Sequence, residues 1–231
     1  MTTSTDSRPV ETIPPLQSGD RLSWPEFERR YSADPHIHKA ELIEGVVYVA
    51  SPLRHRQHGR PHSRILTWLG VYQAQTPGTD LSVEPTVRLD VNNEPQPDAV
   101  LFIAPECEGQ IQISPEGYIE GAPELIVEIA ASSESMDLGE KKQIYCRNGV
   151  KEYLVWQTHE NILIWHILEQ GAYRIMPPDT DGVICSQIFP GLWLSTVDLI
   201  AGNMIKVLEF VQRGIASDKH RSFVEMLAFK R

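Results

Sequence analysis

Residues 124–131, ELIVEIAA, form an apolar run interrupted by a single acid, Glu128. The aliphatic residues on both sides of Glu128 are typical of a strand that is buried on both faces of a sheet. A carboxylate in such a strand is costly unless it is paired, protonated or bound to a cation. The run therefore predicts a central strand, with Glu128 either in a functional site or in a buried salt bridge.

A second acid poses the same question. Asp98 follows Pro97 and leads directly into the apolar run AVLFI at residues 99–103. If the two strands are neighbours, their carboxylates meet at one edge of the sheet, and oxygen-rich sites suit Mg²⁺ or Mn²⁺. For one such acid a salt bridge is the simpler explanation. Two of them, with Lys141 or Lys142 downstream, favour a metal site.

The rest of the chain alternates between strand and helix patterns. We expect helices at residues 23–31, 58–75, 137–148, 197–212 and 217–231, from apolar spacing and from capping or stop residues. We expect strands at residues 86–90, 98–104, 124–131, 152–157 and 162–168, and a strand pair or kinked strand at 40–50. The predicted fold class is α/β (α+β), with a mixed central β-sheet flanked by helices.

Composition predicts the organisation of the chain. Residues 1–20 are rich in Thr, Ser and Pro and predict a flexible tail, while residues 21–231 predict one domain with a C-terminal helical extension. The three cysteines include no CxxC pair, which is typical of reduced structural thiols. We find neither a signal-peptide pattern nor an apolar run of the roughly 20 residues that a membrane span requires. We therefore expect a soluble cytoplasmic protein with no membrane partner.

The net charge of −10 argues against a surface that coats nucleic acid indiscriminately. It does not exclude a nuclease, because carboxylates gathered around a metal offset a local basic patch and the metal restores positive charge where phosphate binds.

Three segments together resemble a known family. PDAV at residues 97–100, PELIVEIAASS at 123–133 and DLGEKKQIYCRNGVKEYLVW at 137–156 are similar to the bacterial Uma-two family of restriction endonucleases, a branch of the PD-(D/E)XK superfamily. The similarity runs from about residue 22 to residue 194 and includes AELIEG at 40–45 and FPGLWL at 189–194. It is most specific between residues 97 and 156.

The resemblance implies roles for four residues. Asp98 and Glu128 would be metal-binding acids, and Glu41 a third acidic site residue, with Glu44 as the alternative because the register is open. The superfamily places a lysine two residues after the strand acid, where this chain has Ala130. The family resemblance suggests that the lysine lies on the following helix. Lys141 fits KxxxY with Tyr145, and Lys142 is the alternative.

The implied function is metal-dependent hydrolysis of phosphodiester bonds in DNA, with Mg²⁺ or Mn²⁺ as cofactor. Lys141 would position the attacking water or stabilise charge in the transition state. The alternative is a nuclease fold that no longer cuts and serves as a nucleic-acid-binding or assembly module. Cutting both strands of a duplex is simplest for a twofold dimer, so a homodimer is a further expectation.

The densest positive segment is RHRQHGRPHSR at residues 54–64. His58 and His62 are four residues apart and share one face if the helix has begun there. Zinc binding, contact with phosphates and an ordinary solvated helix start are the three interpretations, and contact with phosphates is preferred to zinc because a zinc site requires more ligands.

Overall fold

The computed structural model describes residues 13–131 and 136–230. A mixed six-stranded sheet lies at its centre, in the order β11-β10-β9-β8-β5-β3. Within it β8 and β9 are parallel, and the other neighbouring pairs are antiparallel. The predicted fold class is confirmed. The strands are β1 (Ala40–Ile43), β2 (Val46–Val49), β3 (Thr79–Val83), β4 (Val87–Arg88), β5 (Ala99–Ile103), β6 (Gln112–Ile113), β7 (Ile119–Glu120), β8 (Leu125–Ala130), β9 (Glu152–Gln157), β10 (Ile162–Glu169), β11 (Ala172–Ile175), β12 (Val183–Cys185) and β13 (Trp193–Ser195).

Helices cover both faces of this sheet. Two of them are preceded by a π-helical turn, His55–Gly59 before α2 and Asp137–Lys141 before α3. Such turns are rare and occur frequently at functional sites. The α-helices are α1 (Trp24–Ala33), α2 (Arg60–Gln73), α3 (Lys142–Asn148), α4 (Thr196–Ala201), α5 (Met204–Ile215) and α6 (Asp218–Lys230).

Alternate residues of β8 face two different cores. Leu125, Val127 and Ile129 pack in a core shared with α2, α5 and α6. Ile126 and Ala130 pack in a second core, to which α3 contributes. Because side chains alternate along a strand, Glu128 lies on the same face as Ile126 and Ala130. The sheet therefore presents Glu128 toward the segment that carries Lys141.

The N-terminal hairpin, β1 and β2, packs beside the segment that leads into β5. Leu42 and Glu94 exchange two backbone hydrogen bonds of 3.1 and 2.8 Å, which hold β1 against residues 94–96. Residues 1–12 of the predicted flexible tail lie outside the described residues. Residues 13–20 pack against β2, where Leu16 is buried and the amide of Gly19 donates to the carbonyl of Val47. Ordered contacts thus begin upstream of residue 21, and the single-domain assignment stays a prediction.

The C-terminal segment differs from the sequence expectation. The helix predicted at residues 197–212 is divided into α4 and α5, because Gly202 takes a left-handed conformation with φ of +82° and ends the first helix. The predicted last helix is present as α6. Among the described residues no helix is long and apolar enough to cross a membrane.

Candidate functional site

The register of β5 and β8 places Asp98 beside Glu128. Ala99 pairs with Val127 in this antiparallel ladder, so the next positions outward are Asp98 and Glu128. The backbone amide of Ile129 donates a 2.6 Å hydrogen bond to Oδ2 of Asp98 and joins the two strands at this point. Both carboxylates are buried. The structure thus brings together the two acids that the apolar strands singled out.

Lys141 lies among three carboxylates. Its Nζ atom is 2.9 Å from Oε1 of Glu41, 3.0 Å from Oε1 of Glu128 and 3.5 Å from Oδ1 of Asp137. The lysine belongs to the π-helical turn that follows β8 and covers the face on which Glu128 lies. Lys142, the alternative, is half-buried one position further on, and its charge acts on His166 instead.

Glu41 and Glu44 point to different places. Oε1 of Glu41 accepts a 2.7 Å hydrogen bond from the backbone amide of Gln96, two residues before Asp98. Glu44 lies in the hairpin turn with a positive φ of 51°, is exposed, and accepts a 2.7 Å hydrogen bond from Arg147. Because the turn begins at Glu44, strand alternation does not extend to it, and Glu41 is the acid that reaches the cluster.

Asp98 is also surrounded by basic groups that the sequence did not single out for this role. Nε2 of His58 lies 2.9 Å from Oδ1 of Asp98, and Nζ of Lys39 lies 3.5 Å from the same oxygen. Nε2 of His62 contacts the backbone carbonyl of Asp98 at 2.9 Å. The two histidines therefore converge on one acid and hold both its side chain and its backbone.

The protonation of His58 follows from its surroundings. Its Nδ1 atom is buried and has no hydrogen-bond partner in the part of the chain that the structure describes. A carboxylate oxygen accepts a hydrogen bond, so the nitrogen that faces Asp98 carries a proton and donates it. We assign the proton to Nε2 on this argument.

Burial and charge act in opposite directions on these groups. Burial favours the neutral form of Asp98, but the hydrogen bond from His58 and the charge of Lys39 outweigh it and lower the pKa of Asp98 below its usual value. Burial raises the pKa of Glu128. The charge of Lys141 lowers this pKa, and the nearby acids Asp137, Asp98 and Glu41 raise it further. For Lys141, burial favours the neutral form, but the surrounding carboxylates raise its pKa well above the usual value.

A cleft of about 560 Å³ opens above these residues. Asp98, Glu128, Glu41 and Lys141 lie along it with His58. From the positive segment, Arg54, Gln57 and His58 line the cleft. Arg64 instead turns inward and donates two hydrogen bonds of 3.1 Å to the carbonyls of Leu199 and Ile200. Arg54 thus lines the cleft, while Arg56 and Arg60 are exposed in the same segment.

The donor atoms of this cluster are of the type that binds hard divalent cations. Carboxylate oxygens are the ligands that Mg²⁺ and Mn²⁺ prefer. In the described part of the chain the hydrogen bonds to Glu41 and Glu128 go to Oε1, which leaves Oε2 of each for another ligand. The ammonium of Lys141 between these two acids shows that the position accommodates positive charge. No group of three or more His, Cys, Asp and Glu side chains in residues 13–131 and 136–230 has a ready metal-binding arrangement.

Several residues of this cluster escaped the sequence analysis. Asp137 lies one helical turn before Lys141 and was within reach of a spacing argument, whereas Lys39, which directly precedes AELIEG, has no such spacing. Tyr145 was noted only as part of KxxxY, and its hydroxyl donates a 2.7 Å hydrogen bond to Oε1 of Glu128. Its interaction adds a second donor to the oxygen that Lys141 contacts.

Comparisons with known proteins bear on the fold and the family of the chain. The chain is similar over 75% of its length to a crystal structure from Anabaena variabilis described as a "putative nuclease belonging to DUF820", of which 96% is covered, with a TM-score of 0.56 and 16% identity. That likeness shows the fold alone. A comparison with curated proteins gives no match. The model of the Uma2 family, described as "Putative restriction endonuclease", matches residues 24–197. Since this match spans most of the chain, the resemblance drawn from residues 97–156 is confirmed, and the protein belongs to the Uma2 family.

Proposed function

We propose that this protein is an endonuclease that hydrolyses phosphodiester bonds of DNA with the help of Mg²⁺ or Mn²⁺. The observation that carries the proposal is the convergence of three acids from separate segments at one cleft: Glu41 of β1, Asp98 before β5 and Glu128 of β8. The family description supports nuclease chemistry. The metal and the choice of DNA are our own additions.

In this proposal Asp98, Glu128 and Glu41 would hold the ion. When bound, such an ion would polarise a phosphoryl oxygen and lower the pKa of a bound water. The chain's own residues keep the acids in place. Lys141 contacts Oε1 of Glu41 and of Glu128, while His58 fixes the carboxylate of Asp98. Substitution of residues that orient metal ligands in this way commonly lowers metal affinity or activity about 10–100-fold.

A basic margin supports the choice of a polyanionic substrate. Because the chain has a net charge of −10, a phosphate backbone can be attracted only by a local group of positive side chains. Arg54 and His159 are exposed and line the cleft, and Arg56 and Arg60 are exposed in the same sequence segment as Arg54. Arginine and histidine side chains at such positions donate hydrogen bonds to phosphate oxygens without reading base sequence.

A second function is favoured by one observation. The acids are already paired within the protein: Glu41 and Glu128 with Lys141, and Asp98 with Lys39 and, through a hydrogen bond, with His58. A nuclease fold that binds nucleic acid without cutting it would preserve such pairs for stability alone. The two functions differ in whether a divalent cation changes the protein's behaviour.

The test is cleavage of plasmid and single-stranded DNA by purified protein, with chelator and with Mg²⁺ or Mn²⁺. We expect cutting only with the metal. Glu41→Gln should abolish it, whereas Glu44→Gln, in the same hairpin but paired with Arg147, should not. Asp98→Asn and Glu128→Gln should also abolish it. DNA that binds but is never cut under any of these conditions would replace the proposal with the binding module.

A further inference from the structure

Lys39 occupies a distinctive position at the cleft. It immediately precedes β1, lines the cleft, and its Nζ atom lies 3.5 Å from Oδ1 of Asp98 and 3.8 Å from Oε1 of Glu84. In the described part of the chain it makes ion pairs at these distances but no hydrogen bond. An ammonium group has three donors. Donor capacity of Lys39 thus remains for a ligand that enters the cleft.

Lys141 is bound differently. Its side chain is 4% exposed, against 20% for Lys39. Three carboxylates surround its ammonium, and two of them lie at hydrogen-bond distance. To reach a phosphate it would have to leave buried acids without a partner, which is strongly unfavourable. Lys141 is therefore suited to hold the acids, and Lys39 is the lysine that faces an incoming substrate.

Before an ion is bound, a phosphate at this cleft requires a cation at its entrance. Four carboxylates, those of Asp98, Glu128, Glu41 and Asp137, lie close to one another, and Lys141 offsets only part of their charge. Without a bound ion, a phosphodiester brought beside them is repelled unless a further positive group contacts it. Lys39 is next to Asp98 and partly open to solvent, so it meets this requirement where Lys141 does not.

We propose that Lys39 contacts the scissile phosphate and donates hydrogen bonds to a non-bridging oxygen. This inference rests on the proposed nuclease function. In the reaction a water oxygen forms a bond to phosphorus, the bond from phosphorus to the leaving sugar oxygen breaks, and a proton of the water ends on that oxygen. Lys39 transfers no proton. It stabilises the charge that the phosphoryl oxygens carry in the transition state.

Binding is measured first, in chelator, by fluorescence anisotropy of a labelled single-stranded DNA oligonucleotide between about 50 and 200 mM salt. The variants are Lys39→Ala, Lys39→Arg and, as a control for the loss of one positive charge, Lys206→Ala on the exposed surface of α5. Loss of one phosphate contact on single-stranded DNA should reduce the slope of log K against log salt by about 0.7 for Lys39→Ala. Lys39→Arg and Lys206→Ala should keep the wild-type slope.

Cleavage is measured next, with Mg²⁺. We expect Lys39→Ala to lower kcat about 10- to 100-fold, as for loss of a donor to a developing charge, and Lys39→Arg to recover most of it. Thermal melting of each variant shows whether the fold is kept. If Lys39 only neutralises Asp98, kcat falls while the salt slope is unchanged, and the inference is overturned. A Lys39→Ala protein that binds and cuts like wild type overturns it as well. A wild type that neither binds nor cuts instead overturns the proposed function itself.

Discussion

The ammonium of Lys141 lies 3.0 Å from Oε1 of Glu128, and both side chains are buried. The same carboxylate oxygen accepts the hydroxyl hydrogen of Tyr145 at 2.7 Å. Glu128 belongs to the central strand and Lys141 to the turn that covers it, so this pair ties the sheet to α3. A buried pair of this kind is costly to break from one side, because the remaining charge has no partner.

Lys141→Met should therefore destabilise the protein. We expect a loss of about 3–5 kcal/mol in chelator at pH 8, because Glu41, Glu128 and Asp137 lose their shared cation. The loss should be smaller at pH 5, where the acids take up protons more readily. Lys142→Met, at the half-buried neighbouring position, should change stability by about 0.5 kcal/mol or less. Urea denaturation of the three proteins at both pH values measures these differences.

Mn²⁺ adds a second readout to the same variant. If the acids form a cation site, Mn²⁺ should raise the melting temperature of Lys141→Met more than that of wild type, with a dependence on free ion that follows mass action. Equal melting of Lys141→Met and wild type in chelator would contradict the role of Lys141 as counter-ion. Indifference of both proteins to Mn²⁺ would count against the metal site.

His58 is expected to control the metal affinity of Asp98. His58→Phe removes the 2.9 Å hydrogen bond to Oδ1 and should weaken Mn²⁺ binding about 10–100-fold. His58→Gln can place an amide nitrogen near the position of Nε2 and should stay close to wild type. His159→Phe, an exposed position of the same cleft, serves as control. Isothermal titration with Mn²⁺ gives the affinities, and equal affinity for the Phe and Gln variants of His58 would remove its positioning role.

Much of the sheet was predictable because its central strands carry a strong local signal. β9 has the predicted bounds, Glu152–Gln157, and β8 differs from its prediction by one residue at each end. Both strands are mainly apolar and are buried throughout. β3, with the sequence TDLSV, was not predicted, because it is an edge strand with polar positions and an incomplete burial pattern. The extended conformation of β3 depends on its pairing with β5 rather than on its own residues.

The site was predictable in the same uneven way. Asp98 and Glu128 stood out because an acid in an apolar strand is costly, and their proximity follows from strand pairing. Lys39 and His58 carry no such signal, since Lys39 lies at a strand edge and His58 in a basic run. Their contacts with Asp98 depend on how the hairpin and α2 pack against β5. The π-helical turn that positions Lys141 was expected as ordinary helix, and of the turn His55–Gly59 only the last two residues lay in the predicted helix, because a single turn is too short to mark apolar periodicity.

Two helical glycines test how the C-terminal segment packs. A Cβ added to Gly214 in α5 would lie 2.2 Å from the backbone oxygen of Gly191, whereas one added to Gly70 in α2 would meet only a side-chain carbon of Leu81, at 4.0 Å. Gly214→Ala should therefore destabilise the protein by about 2 kcal/mol or more. Gly70→Ala should stabilise it by about 0.5–1 kcal/mol, because alanine loses less backbone entropy in a helix. Urea denaturation measures both, and a neutral Gly214→Ala would contradict the close approach of α5 to the turn at Gly191.

His166 should make the protein lose stability in mild acid. Burial, together with the charge of Lys142, lowers the pKa of His166 from 6.5 to about 4, while its Nδ1 atom contacts the carbonyl of Tyr153 at 3.2 Å. Between these two pKa values the unfolded chain binds a proton that the folded chain does not. Stability therefore falls as the pH drops below 6.5. For a single group with these values the loss between pH 7 and pH 5 is about 2 kcal/mol.

His166→Asn isolates this contribution, because asparagine can keep a donor near the position of Nδ1 but does not titrate. The variant is expected to be less stable than wild type at pH 7, since it loses the ring contacts with Tyr153 and Tyr173. Buried acids such as Glu152, whose pKa burial raises to about 7, act in the opposite direction but equally in both proteins. The difference between wild type and variant should thus shrink by about 2 kcal/mol from pH 7 to pH 5 in urea denaturation. His36→Asn, at an exposed position, controls for loss of a histidine as such. If the difference between wild type and His166→Asn is the same at both pH values, His166 is not held neutral by the fold.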